Sequence, residues 1–364
     1  MGRDLTPQDV LGVPMLPPAG VAAAGNRVRE RLGRVHRSMA PPPVTILEGL
    51  FGLLDHRVLV ALCEAGVPEA LTRPISITDL AQRVDADPEI LERLLRFAAT
   101  RGWVRVDRRG RVKPTRVTEF LRLDHPGRWR NWVEFAGGAE VVSAVQALDV
   151  RPATGGAFAA ANGAPFFDWM VDHPDRWAAF DGAMAAGGQM HALGLAAAVD
   201  WTGTRTICDV GGGTGDLLAT LLELLPEADG TVLDLPQVIE RATQHPRLTA
   251  MAGDAFEQVP AGFHTYLLVN VLHDWNDDAA ARILVCVATA MGAGSRLIVV
   301  DSERTAQPRA DIATSADVLM AALTPGGKER DADAFAELGR GVGLVLDRTA
   351  RLTSGDVAHQ FSLA

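Results

Sequence analysis

The chain has 364 residues, 48% of them hydrophobic and 22% charged, proportions that exclude a collagen-like, disulfide-scaffold or wholly disordered molecule. At about 150 residues per domain, this length argues for two domains. With 35 basic against 45 acidic residues the net charge is −10, which argues against sequence-independent nucleic-acid binding by the whole molecule; residues 1 to 130 nonetheless carry 21 basic against 15 acidic side chains, and the remainder 14 against 30.

Cys63, Cys208 and Cys286 are too widely spaced for a disulfide ladder or a metal knuckle and predict reduced thiols in a cytoplasmic protein. The start lacks a basic segment followed by an apolar one, and no window holds the roughly 18 apolar residues of a membrane span, so no membrane partner is expected.

Residues 1–40 mix Pro, Gly and Arg and predict a flexible N-terminal arm ending at Ala40-Pro41-Pro42-Pro43. Residues 41–125 read as a winged helix. Leu47, Leu50, Phe51, Leu54, Val58 and Leu62 recur at helical spacing and predict a buried helix that stops at Gly66. Thr78 is expected to cap a short helix, and Asp87-Pro88 to open a second with Leu91, Leu94, Leu95 and Ala98 on one face. A hairpin follows, Trp103 to Val106 and Arg111 to Lys113 around the turn Asp107 to Gly110. Its arginines taken alone suggest a DNA-binding regulator. The presumed recognition helix, EILERLLRFAATRG, offers few side chains that read base edges, however, and its apolar surface suits a subunit interface better, so no nucleic-acid partner is expected.

Residues 126–200 predict a helical linker with aromatic clusters, and residues 201–364 a catalytic domain. Within the latter, strands at Thr206 to Val210, Thr231 to Leu235, Tyr266 to Leu272 and Arg296 to Val300 alternate with helices at Asp216 to Leu225 and Ala279 to Met291. This alternation predicts an α/β fold with a parallel, doubly wound sheet that binds ligands at the carboxyl ends of its strands.

The chemistry-bearing motifs fall at those ends. Asp209-Val210-Gly211-Gly212-Gly213-Thr214-Gly215 joins a strand to a helix, the context of a nucleotide-like ligand, with GxGxG spacing instead of the GxGxxG of dinucleotide folds. Asp234 in LDLP closes the next strand as an acceptor for two ribose hydroxyls. Asp254 in GDAF would accept an exocyclic adenine amine while Phe256 packs nearby. His273, in LHDWND after YLLVNV, can take a phenol or carboxyl proton near neutral pH, although a capping or core histidine has the same look. PGGKER, residues 325–330, reads by itself as a turn before a solvated helix start.

As an ordered set, DVGGGTG, LDLP, GDAF, LHDWND and PGGKER resemble the class I S-adenosylmethionine-dependent O-methyltransferases of small molecules, over about residues 45 to 364. The resemblance implies a helical, winged-helix-like N-terminal domain that forms a homodimer, and a Rossmann-like C-terminal domain holding S-adenosyl-L-methionine, released as S-adenosyl-L-homocysteine. It implies that Gly211, Gly213, Asp234, Asp254 and Phe256 contact the cofactor, that His273 is the general base, and that Asp301 and Glu329 hold it. Asp301 stands where glutamate is common, and Val269 stands where plant members have a lysine near the adenine, with Asn270 beside it as a substitute donor. Such a cleft would be lined by Trp129, Phe135, Phe166, Met170, Met184, Asp274, Asp317 and Met320, suited to a planar aromatic substrate, with no metal required. The usage of Arg over Lys, with only Lys113 and Lys328 among the basic residues, reads as high-GC codon bias and favours polyketide-type natural-product tailoring. Some relatives of this family hydroxylate, decarboxylate or cyclise instead, and that alternative stands beside methyl transfer.

Overall fold

The computed structural model of the protein describes residues 17–151 and 155–364; the first sixteen residues of the expected arm lie outside the described residues. The described residues form two compact units, one of Gly33–Val142 with His173–Gly187, the other of residues 17–32 with Ser143–Asp172 and Gly188–Ala364. The segment 126–200 is divided between them: helix Pro174–Ala185 packs on helix Trp129–Ala136, whereas helix Gly188–Ala198 packs on helix Asp216–Leu224. The described part of the arm is largely the helix Ala19–Ser38, with none of its side chains buried. Pro41 to Pro43 end it and open the next helix, Pro42–Glu64, where a missing N–H costs nothing.

The first unit has a core of Val58, Leu62, Leu71, Leu80, Leu91, Leu95 and Val104 under a small antiparallel sheet of β1 (Ile75–Ser76), β2 (Val104–Val106) and β3 (Arg111–Pro114). Ser76, not Thr78, caps the helix Ile77–Arg83, because its extended backbone lets the hydroxyl accept the Asp79 N–H at 3.0 Å. Asp87 caps Pro88–Thr100 by accepting from Glu89 and Ile90. In the wing, Asp107 pairs with Arg111 and Lys113, and their hydrogen bonds hold its carboxyl near 2. Helix Pro42–Glu64 departs from expectation over its first half. Val58 and Leu62 are buried, but Leu47, Leu50, Phe51 and Leu54 are exposed, since nothing in a single chain covers that face.

The second unit is built on a seven-stranded sheet of order β6-β5-β4-β7-β8-β10-β9. Its strands are β4 (Thr206–Val210), β5 (Asp229–Asp234), β6 (Leu248–Ala252), β7 (Thr265–Val269), β8 (Arg296–Asp301), β9 (Leu344–Arg351) and β10 (Val357–Leu363). Strand alternation divides the core between two faces: Cys208, Leu268 and Val299 pack on one side, and Ile207, Leu267 and Ile298 on the other. Five strands are parallel, as expected. The sheet as a whole is mixed, because β10 runs antiparallel to both β8 and β9. No helix among the described residues is long and apolar enough to cross a membrane.

One buried group serves no visible bond. His359 on β10 stacks on Phe335 at 4.4 Å, and neither ring nitrogen has a hydrogen-bond partner. Burial lowers its value to about 4. A histidine depressed in the folded state contributes stability that is present above its unfolded value and is lost as pH falls through the folded one. His359→Leu is therefore expected to remove an acid-dependent loss on the order of 3 kcal/mol between neutral pH and about pH 4. Parallel Tm-versus-pH curves for the two proteins would contradict this.

Candidate active site

After β4 the chain turns through Gly211, Gly213 and Gly215, all with positive φ (68°, 61° and 79°), and Gly215 starts the helix Asp216–Leu224. Gly212 is required for a different reason: a Cβ there would lie 2.6 Å from the Asp209 carboxyl carbon and 2.9 Å from Val232. At Gly213 a Cβ would meet nothing within 4 Å, so the loop presents bare backbone to open space. Asp234, at the end of β5, ties this loop down. Its Oδ2 accepts the Gly213 N–H at 2.8 Å and its Oδ1 the Leu235 N–H at 2.7 Å. Beneath the loop Asp209 is buried with Oδ1 unsatisfied, and burial together with the Asp234 charge pushes its carboxyl up to about 7.

Beyond β6, Asp254 accepts the Phe256 N–H at 2.8 Å. The Phe256 ring meets Trp275 edge-on at 4.7 Å, Phe167 stacks on Trp275 at 5.3 Å, and the Arg282 guanidinium lies over Phe256. Trp275 was not singled out in the sequence; its place directly after His273-Asp274 is the signal that marks it. Asn270 directly follows β7 with φ 55°, an unusual conformation for a non-glycine residue.

His273 follows in the single turn Leu272–Asp274. Its Nδ1 lies 3.3 Å from Asp301 Oδ1 and 3.4 Å from Glu329 Oε1, and its Nε2 lies 3.7 Å from Asp274 Oδ1. Asp301 closes β8, and its short arm is within ion-pair distance of the imidazole. Asp301 and Glu329 are buried, while 16% of the His273 side chain reaches solvent. Burial opposes an imidazolium, but Glu329, Asp274 and Asp301 outweigh it and raise His273 to about 10. Burial raises Asp301 to about 8 and Asp274 to about 6. His273, Asp274 and Asp301 titrate as a coupled unit in which the negative charges around the ring favour the imidazolium.

The segment PGGKER lies against this turn. Gly327 has no room for a Cβ, which would meet the carbonyl oxygens of His273 and Asp274 at 2.7 and 2.8 Å. Lys328 N–H donates to the His273 carbonyl at 2.8 Å, and Glu329 N–H to Asp317 Oδ1 at 2.8 Å. Arg330 is fully buried instead of solvated. Of the residues expected to line a substrate cleft, Phe166, Met170, Asp274, Asp317 and Met320 belong to the sheet-containing unit, where Phe166, Met170 and Met320 are buried. Trp129, Phe135 and Met184 belong to the other unit, where Phe135 packs edge-on against Phe180 at 5.4 Å while Trp129 and Met184 stay over a third exposed.

Comparison with known proteins agrees with this arrangement. A model of the O-methyltransferase domain matches residues 144–345, and a model of the O-methyltransferase dimerisation domain matches residues 47–122. The chain belongs to the O-methyltransferase family. This methyltransferase is 32% identical to 3-amino-4-hydroxybenzoate 4-O-methyltransferase of Streptomyces cremeus, over 84% of this chain and 86% of that one. It is 33% identical to the mitomycin biosynthesis 6-O-methyltransferase of Streptomyces lavendulae, over 86% and 92%. A solved O-methyltransferase from neocarzinostatin biosynthesis, in complex with S-adenosylmethionine and 2-hydroxy-5-methyl naphthoic acid, superposes with a TM-score of 0.69 at 28% identity, covering 85% of this chain and 95% of that one. The methyltransferase is an S-adenosylmethionine-dependent enzyme, and its cofactor domain is the Rossmann-like sheet described above.

Proposed function

We propose that the enzyme methylates a hydroxyl of a small aromatic natural product of polyketide type, with His273 as the general base held by Asp301 and Glu329. The observation that carries this reading is the pair of buried carboxylates at Nδ1, which leaves Nε2 as the nitrogen that receives the proton. A phenol, with a pKa of about 10, is a weak nucleophile at neutral pH, so proton removal must accompany attack. In its neutral form His273 accepts that proton as the phenol oxygen bonds to carbon, and the two carboxylates stabilise the imidazolium that results.

The residues at the strand ends suit the cofactor. Gly213 offers open backbone to the ligand and Gly211, packed close to Val271, shapes the same loop; Asp234 is an acceptor-only group matched to a ribose diol, and Asp254, Phe256 and Asn270 are assigned to the adenine. Bound S-adenosylmethionine supplies an electrophilic methyl on a sulfonium, which leaves as neutral S-adenosylhomocysteine. Aromatic substrates of the relatives, a hydroxybenzoate and a naphthoic acid among them, support the substrate class. Phe166, Met170, Asp274, Asp317 and Met320 are the side chains of the sheet-containing unit to vary for specificity.

Incubation with S-adenosylmethionine and a panel of hydroxylated arenes and aryl acids, read by mass spectrometry, tests the reaction. A product heavier by one methylene together with S-adenosylhomocysteine supports it. Consumption of a substrate with no S-adenosylhomocysteine formed replaces it with a hydroxylation, decarboxylation or cyclisation.

The exposed apolar face of Leu47, Leu50, Phe51 and Leu54 is assigned to a homodimer contact, since it lies within the dimerisation domain. Phe51→Arg, which places a charge on that face, is expected to convert a dimer to a monomer in light scattering. A dimer of unchanged affinity would remove this face from the interface.

A further inference from the structure

Arg330 is the largest fully buried side chain among the described residues, and the reaction as described does not use it. Its Nη1 donates to the Leu272 carbonyl at 2.6 Å, its Nη2 to the Trp275 carbonyl at 2.7 Å, and its Nε to Asp277 Oδ1 at 3.0 Å. Those carbonyls flank His273 on either side. A turn of three residues leaves its carbonyls short of helical partners: Leu272 accepts one long backbone bond, from the Trp275 N–H at 3.3 Å, and buried carbonyls without partners are costly. The planar guanidinium gives Leu272 a second, shorter donor and Trp275 a donor from one rigid fork, and Lys328 N–H supplies one to the His273 carbonyl itself. The stretch 328–330 thus holds the main chain of the turn while Glu329, in its middle, faces the imidazole. Gly327 lets the strap lie this close.

The charge is as well placed as the donors. The guanidinium pairs with Asp277, which also pairs with Lys328 and is half exposed; its charge acts on Asp301 at the end of β8, Glu329 is its chain neighbour, and His273 and Asp274 lie in the turn whose flanking carbonyls it holds. On the far side its carbonyl accepts the Arg304 N–H, and Arg304 pairs with Asp331. We propose that Arg330 is a positioning residue of methyl transfer: it fixes the turn that aims His273 and supplies the permanent positive charge beside the buried Asp301 and Glu329. This rests on the reading of His273 as the base. The Arg330 charge opposes the burial that raises Asp301, and without it the whole cluster would retain its last proton to higher pH.

The test is an NMR titration of the full-length protein with isotope-labelled histidine, the His273 signal being assigned with His273→Gln. In Arg330→Gln the His273 midpoint is expected to rise by about one pH unit, the scale of one charge removed from several Å away at an effective dielectric of about 20. Arg330→Lys keeps the charge but cannot span both carbonyls, so its midpoint stays near that of the wild type while the His273 signal shifts and broadens. In both variants turnover of a hydroxyaryl acid accepted by the wild type falls about tenfold or more, as expected for a misplaced base. An unchanged midpoint in a folded Arg330→Gln protein overturns the electrostatic part of the proposal. An Arg330→Lys spectrum and turnover matching the wild type overturn the positioning part, even if Arg330→Gln does not fold. Should His273→Ala retain turnover, the base assignment falls while the Arg330→Gln titration shift still stands, so the two failures are separable.

Discussion

His273→Ala is expected to lower kcat by about 10²- to 10⁴-fold, the usual contribution of a positioned general base, while S-adenosylmethionine affinity measured by calorimetry changes little. Affinity is preserved because the glycine loop follows β4 and Asp234 ends β5, whereas the His273 side chain sits with Asp301 and Glu329 beyond β7 and β8. The pH dependence carries more information than the rate. Glu329, Asp274 and Asp301 favour the imidazolium, so in the free enzyme His273 holds a proton well above the ordinary histidine range. A base acts only when neutral, and log kcat/KM should therefore rise with pH through a limb above neutrality. Phenol ionisation also falls in that region, so the His273→Ala profile is the reference that isolates the substrate's own titration. Asp301→Asn and Glu329→Gln each remove a negative charge at Nδ1, and the limb should then move to lower pH with a weaker base behind it. A wild-type limb near the unperturbed histidine value, or a His273→Ala enzyme with normal turnover, would defeat the assignment.

The motifs that announce this site lie in short local runs, and local runs are what a single sequence displays best. β4, β5, β7 and β8 are buried on both faces and read as continuous apolar stretches, so the carboxyl ends of β4, β5 and β8 could be placed within one residue. β7 stops at Val269, three residues short of the expected Leu272, because the apolar run continues into the turn Leu272–Asp274. β9 and β10 form an antiparallel pair at the sheet edge, and the polar, largely exposed run LVLDRTAR shows no such signature. Arg330 was illegible for a related reason. A charged residue after Gly-Gly-Lys-Glu reads as solvated, and only the tertiary fold brings the carbonyls of Leu272 and Trp275 to the guanidinium, which makes its burial favourable. Helical periodicity identified the apolar stripe of Pro42–Glu64 correctly, but periodicity does not distinguish a face buried within one chain from one left for another. The same ambiguity covers Phe166 and Met170, whose apolar spacing suits a pocket wall and a core equally well.

Asp234→Ala is expected to weaken S-adenosylmethionine binding by about 10²- to 10³-fold, from the loss of one or two charge-assisted hydrogen bonds. Two roles end with this one carboxylate. It anchors the Gly213 and Leu235 amides at 2.8 and 2.7 Å, so its removal releases the glycine loop, and it withdraws the acceptor assigned to the ribose diol. The positive φ of Gly211 and Gly213 makes the loop's shape dependent on such anchors, because glycine has the most conformational freedom to regain. Asp234→Asn separates the roles. The amide has one oxygen in place of two, so it can accept from only one side, and its NH₂ opposes either an amide N–H or a hydroxyl hydrogen. Its affinity should fall between those of Asp234→Ala and the wild type. Asp209 offers an independent readout, since the Asp234 charge helps hold its buried carboxyl near 7; either substitution should let that group ionise at lower pH, visible as a carboxyl titration by NMR. Unchanged calorimetric affinity in Asp234→Ala would place the ribose elsewhere and leave Asp234 as a loop anchor alone.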